Sequence, residues 1–191
     1  MPAPQTVDPA SLRIQLYPAA VLRERAHEVE FGPEVVAVAE RMLVLMRQAE
    51  GIGLAAPQVG LPWRLFVIDV PPPDPDDADA AAPAGLPVAS DGPEVYINPV
   101  LSEPQGVPAP QDEGCLSLPG IRGEVRRPPV ITIEATNLRG ERFRKTGAGL
   151  LARCWQHEFD HLDGVLIIDK MSQVSRLRCR RQVQQLERAA R

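Results

Sequence analysis

Residues 155–164 read WQHEFDHLDG, with His157 and His161 four positions apart and Glu158 beside the first. On a helix this spacing sets both imidazoles on one face, close enough to share one metal ion. A hydrolytic site of this kind takes three protein ligands and keeps one position open for water. Two ligands are in view, and the third has to come from elsewhere in the chain.

After His161 the available carboxylates include Asp163, Asp169 and Glu187. The two aspartates lie too near the helix end to fold back easily, and Glu187 sits in an arginine-rich tail. One peptidase pattern runs through a glycine to a third histidine. Gly164 fits that glycine, but Ile167 stands at the histidine position. His27, in RAHEVE, reads as a surface residue. Cys115 remains, in QDEGCLSLPG, where Gly114 and Pro119 permit an irregular turn. A cysteine is more often a small buried apolar residue. Beside a histidine pair, however, a thiolate completing a tetrahedral N₂S site is the stronger reading.

The elements that must hold these residues are partly legible. FGPEVVAVAERMLVLMRQAEG predicts a helix with Pro33 in its first turn. Val35, Val38, Met42, Leu45, Met46 and Ala49 form its apolar stripe, and Gly51 ends it. RLFVIDV, VYINPVL and VITIEATN predict strands, and NLRGERFRK turns the last into a hairpin. The histidine helix is expected from near Thr146 to Gly164, with VLIID returning as a short strand. A C-terminal helix from Met171 onward would carry Val174, Leu177, Val183 and Leu186 inward and a basic face outward. That face suits either solvent or phosphates, the latter with salt-sensitive binding. Strands dominate the middle without βαβ alternation. The expected class is α+β, with antiparallel sheets around a central metal-binding helix and a helix near each terminus.

Composition narrows the function classes. The 191 residues are 44% hydrophobic and 24% charged, as in an ordinary globular protein of one domain, here expected over 1–191. No stretch approaches the ~20 apolar residues needed to span a bilayer. The first residues lack the basic end and apolar run of a secretory signal. Three cysteines, an odd number, argue against a disulfide framework. A cytoplasmic protein is expected. Residues 71–93, rich in Pro, Ala and Asp, read as a mobile surface insertion.

Three stretches together resemble the signatures of peptide deformylase: GIGLAAPQVG at 51–60, EGCLS at 113–117 and QHEFDHLDG at 156–164. The likeness extends from about Ile14 to Met171. It implies removal of the formyl group from the N-terminal formylmethionine of new proteins, releasing formate. By the same resemblance Cys115, His157 and His161 bind the metal and Glu158 is the acid/base. Gln58 and the backbone of Leu116 then hold the developing oxyanion. Two imidazoles and a thiolate accept zinc, iron(II), nickel or cobalt. The resemblance implies iron(II), with zinc as a common substitute, and offers a family precedent for a C-terminal helix that docks on the ribosome.

For the substrate, Gly51 and Gly53 let the backbone approach a bound peptide closely, which could pair as an added strand. Ile52, Leu150 and Cys154 match family positions around the methionine side chain. Arg122 resembles a family arginine near the peptide backbone, and Gly114 joins the substrate-binding set. Arg153 and Trp155 flank the pocket helix and are expected to alter pocket width. Two other readings remain at this stage. A zinc endopeptidase would share only the histidine pair, and a ribosome-bound protein with a vestigial site would release no formate.

Overall fold

A computed structural model describes residues 7–73 and 85–190. Helix α1, Pro33–Gln48, begins with proline at its first position and buries Val35, Val38, Ala39, Met42, Leu45 and Met46. That face packs on Leu54, Leu65 and Val67 of two adjoining strands. Five strands make one antiparallel sheet in the order β1-β2-β3-β6-β7. They are β1 Gly53–Ala55, β2 Leu65–Ile68, β3 Glu94–Gln105, β6 Val130–Thr136 and β7 Arg142–Ala148. Every residue of β2 is buried, which explains its unbroken apolar run. Strand β1 is an edge strand and so leaves one side free for pairing.

Between β3 and β6 the chain forms a separate two-stranded antiparallel hairpin, β4 Ala109–Cys115 and β5 Leu118–Arg127. Its register shifts between Gly114 and Cys115, so Cys115 faces Leu118 across a two-residue turn. The extra residues, 119–121, lie on β5, so β4 keeps its alternation and Cys115 shares a face with Glu113.

Helix α2, Gly149–Leu162, packs against all of β1, β2, β3, β6 and β7. Leu151, Ala152, Trp155 and Leu162 meet Phe66, Tyr96, Ile131 and Ile133 in one apolar cluster. Trp155 donates its Nε1–H to the Tyr96 hydroxyl at 2.9 Å. A Cβ on Gly147 would come within 2.7 Å of its ring. The helix starts three residues later than expected because Thr146–Ala148 still pair with β6. It has no side-chain cap at its N-terminus. Instead Gly149 N–H donates to Pro129 O at 3.0 Å and Leu151 N–H to Val88 O at 3.2 Å. These bonds satisfy donors that a helix start otherwise leaves free.

Val88 belongs to the segment expected to be a mobile insertion. Residues 74–84 of that segment lie outside the described residues. The returning limb differs from the expectation: Pro87 and Val88 accept backbone bonds from Ala148 and Leu151, and Ser90 bonds to Val70.

Two further expectations are corrected. VLIID forms no strand: Ile167–Lys170 is a short helix, α3, with Asp169 accepting from Leu166 N–H at 2.8 Å. A short apolar run does not distinguish strand from helix, and the local acceptor decides. Helix α4, Gln173–Ala189, buries Ser175 and Cys179 and packs Val183 and Leu186 inward as expected, but Val174 and Leu177 stand 64% and 71% exposed. The Ser175 hydroxyl accepts from Glu124 N–H on β5 at 3.0 Å, which turns the small-residue face inward. No helix among the described residues is long and apolar enough to cross a membrane.

Candidate metal centre

The one-turn spacing on α2 brings the His157 and His161 rings to 5.1 Å between centroids. Cys115, at the end of β4, places its Sγ 3.3 Å from His161 Nε2. One ligand atom from each of the three residues lies within 4.8 Å of the others, the one such trio among the described residues. The other candidate ligands are engaged elsewhere. Asp163 pairs with Arg64, Asp169 with Arg23, and Glu187 accepts from the Tyr17 hydroxyl. His27 is exposed and its backbone pairs with Trp63.

The donor set fits a divalent cation. Sulfur and two imidazole nitrogens suit zinc, iron(II), nickel or cobalt. Two buried polar atoms beside the trio, Glu158 Oε2 and His161 Nδ1, have no hydrogen-bond partner. Burial alone would lower the His157 pKa, but its hydrogen bonds with Cys115 and Glu113 outweigh that and raise it to about 10. Burial, then the charges at His157 and Arg127, hold His161 well below the usual imidazole range.

Glu158 follows His157 and is 3% exposed. Burial pushes its carboxyl up to about 7 against the lowering effect of His157 and Arg127. Its Oε1 lies where a Cβ on Gly53 would sit 2.3 Å away, so a side chain at that point of β1 would push the carboxylate aside. Gln58 is fully enclosed and its amide is pinned. Its Oε1 accepts from Ala55 N–H at 2.8 Å, and its Nε2 donates to Ser117 Oγ at 3.2 Å and to Cys115 Sγ at 3.5 Å.

These groups open onto a cavity of about 480 Å³. Its walls include Ile52, Gly53, Gly114, Leu116, Leu150 and Cys154, with Arg122 also lining it. The structure thus gathers the residues singled out in the sequence around one space, with His161 just behind Cys115. The Cys154 thiol is enclosed, and burial followed by the Glu158 charge pushes its pKa up, so it is an apolar wall rather than a nucleophile. Arg122 donates to Asp112 Oδ2 at 2.7 Å, with both side chains more than half exposed. Trp155 does not border the cavity. One residue on from Cys154, about 100° further round α2, it points into the sheet.

Sequence reasoning missed the support behind His157. Glu113 accepts from Arg127 Nε and Nη2 at 2.7 and 2.9 Å, and its Oε2 lies 3.0 Å from His157 Nδ1. Arg127 also reaches Asp160 at 2.8 Å. Burial would raise the Glu113 pKa, but the hydrogen bonds from Arg127 and His157 hold it well below the usual carboxylate range. A carboxylate on the distal nitrogen fixes the tautomer and aim of a ligating imidazole. The available signal was period two: Glu113 precedes Cys115 by two residues on one strand, so both lean to the same face. Arg153 lines the cavity, as expected, and also joins this ion cluster through Glu113 Oε1 at 2.7 Å.

The family described as Polypeptide deformylase has a sequence model that matches residues 11–177. A peptide deformylase of Desulfitobacterium hafniense is 43% identical over 157 residues, covering 82% of this chain and 91% of that one. One from Thermotoga maritima is 38% identical over 177 residues, covering 92% and 96%. The crystal structure of peptide deformylase from Ehrlichia chaffeensis superimposes with a TM-score of 0.81 at 30% identity, over 94% of this chain and 98% of that one. With agreement in sequence over most of its length and in fold from α1 to α4, the chain belongs to the polypeptide deformylase family.

Proposed function

We propose that this chain, acting as one catalytic domain, is a metal-dependent hydrolase that removes the formyl group from the N-terminal formylmethionine of newly made proteins. The observation that carries this is the meeting of the Cys115, His157 and His161 donors beside the unpartnered carboxylate of Glu158, at the inner wall of a peptide-sized cavity.

Cys115 Sγ and one nitrogen each of His157 and His161 would hold the metal, which supplies Lewis acidity and makes water nucleophilic near neutral pH. Glu158 takes the proton of the attacking water on a carboxylate oxygen and returns it to the leaving amine of methionine. Water oxygen joins the formyl carbon, the C–N bond breaks, and formate and a free N-terminus leave. Gln58 Nε2 and the Leu116 N–H donate to the oxyanion as it develops. The 3.5 Å contact of Gln58 to sulfur is its weaker bond, since sulfur is a poor acceptor, and that N–H is the one to redirect. The methionine side chain fills the slot between Ile52, Leu150 and Cys154. The peptide runs along Gly53 and Gly114, adding to the open edge of β1 near Arg122.

Iron(II) is proposed as the native metal, supported by the thiolate and imidazole donors together with family membership. The test is protein purified without air, its metal counted and its release of formate from a formyl-Met peptide followed. The reading requires stoichiometric metal, formate release and no cleavage of internal peptide bonds. Cleavage of internal bonds would favour an endopeptidase instead.

The partners are nascent formyl-Met chains and, we further propose, the ribosome, with the protein in the cytoplasm. Helix α4 turns Arg176, Arg178, Arg180, Arg181 and Arg188 to solvent. Such a face predicts co-sedimentation with ribosomes that weakens steeply as salt rises. Binding indifferent to salt would remove that role.

A further inference from the structure

Arg153, His157 and His161 stand at four-residue intervals and so share one face of α2. Opposite them runs β4, whose Glu113 and Cys115 meet that face in order. Arg153 Nη1 donates to Glu113 Oε1, His157 Nδ1 meets Glu113 Oε2, and His161 Nε2 faces Cys115 Sγ. Arg153 therefore forms the first rung of a ladder whose other rungs are the metal ligands.

The guanidinium does more than pair with one carboxylate. Nη1 also donates to Val125 O on β5 at 3.0 Å, and Nη2 to Ala109 O at the start of β4 at 2.9 Å. One enclosed side chain, 9% exposed, thus grips both strands of the hairpin from the helix. Arg127 differs in where it stands. It clamps Glu113 from within the hairpin and reaches α2 only at Asp160, at the opposite end of the ladder. With Arg153 removed, the hairpin would stay joined to α2 only near His157 and Asp160. The Ala109 end would be freed, and Glu113, which meets His157 Nδ1 from that stretch of β4, would shift with it.

We infer that Arg153 is a positioning residue of the metal centre, holding Glu113 and its hairpin against α2 so that His157 keeps its aim beside Cys115 and His161. The inference rests on the metal-binding reading above and adds a residue to it. A metal site is sensitive to such support because partners behind the ligands govern both their orientation and metal retention.

The experiment loads the full chain with cobalt(II), as wild type, Arg153→Met and Arg153→Lys. It records the thiolate-to-cobalt and d–d absorption bands, the rate at which a chelator strips the metal, and the thermal midpoint. Arg153→Met should release metal about 10- to 100-fold faster and shift or weaken the bands. Arg153→Lys should recover part of the loss, since an ammonium reaches Glu113 but lacks the planar fork for Val125 and Ala109 as well. Wild-type bands and stripping rate in Arg153→Met, even with a lowered midpoint, would reduce Arg153 to packing and overturn the inference. If Arg153→Met does not fold, wild-type behaviour of Arg153→Lys in both readouts overturns it equally. A wild-type chain showing no thiolate-to-cobalt band would instead sink the metal reading itself, and this inference with it.

Discussion

Helix α2 and the β4–β5 hairpin each supply part of the site, and they do so in opposite ways. The helix carries two ligands and the acid/base within five consecutive residues, His157 to His161, and its own geometry orients them. The hairpin carries one ligand, Cys115, at a register shift, and its aim depends on contacts far along the chain. Glu113 on the hairpin is met by Arg153 and His157 from α2, and Arg127 crosses the other way to Asp160. A helical site is locally determined, whereas a hairpin ligand is only as well placed as the ion cluster that docks the hairpin. The helix should therefore dominate the chemical step, and the hairpin should dominate stability and metal retention.

The largest effect belongs to the helix. Glu158→Gln keeps size and burial but cannot take a proton. Formate release should fall by about 10²- to 10⁴-fold, the usual worth of a placed acid/base. Metal content and thermal midpoint should stay near wild type, as read by metal analysis and a melting curve. A Glu158→Gln protein with unimpaired turnover would remove the helix from the chemistry and break the comparison at its stronger end.

On the hairpin side, Arg127→Met tests the docking cluster. Arg127 is almost wholly enclosed, and it serves Glu113 and Asp160 together. Its loss leaves two carboxylates short of a partner, although Arg153 still reaches Glu113 and Lys170 still reaches Asp160. Breaking a buried ion pair by removing one member typically costs about 3–5 kcal/mol. The expected result is a lower denaturant midpoint and a Cys115 less firmly held, with the loss in turnover traceable to metal loss and restored by excess metal. A midpoint matching wild type would show that the hairpin docks by apolar contact alone.

The same contrast explains what the sequence discloses. The stripe of α1 and the apolar runs of β2, β3 and β6 are readable because their inward positions are filled by aliphatic side chains. Strand β5 buries Leu118 and then alternates regularly from Ile121, burying Gly123, Val125 and Arg127 as well. Two of those inward places are a glycine beneath Met171 and an arginine, so no period of two appears among the apolar residues. Helix α4 hides its packing face likewise, since Ser175 and Cys179 are small and polar or nearly so, whereas the more apolar Val174 and Leu177 face out. Within the site, α2 is legible from spacing alone, Cys115 only by elimination and resemblance. Glu113, Arg127, Arg153 and Asp160 stay hidden because charged residues look alike until the fold shows which are enclosed.

The smallest effect separates the two surfaces of the hairpin itself. Arg122 and Asp112 form an ion pair as short as that of Arg127 and Glu113, 2.7 Å, yet their side chains are 64% and 58% exposed against 3% and 6%. In water a pair of charges gains little beyond what solvation already provides, so an exposed bridge is worth about 0–1 kcal/mol. Arg122→Ala should therefore leave the denaturant midpoint nearly unchanged where Arg127→Met moves it plainly. Any effect on turnover should appear in KM for a formyl-Met peptide rather than in kcat, because the role proposed for Arg122 is to meet the peptide backbone and not the reacting group. A destabilisation as large as that of Arg127→Met would mean that burial does not separate the two bridges, and the account of how the hairpin is docked would have to be rebuilt.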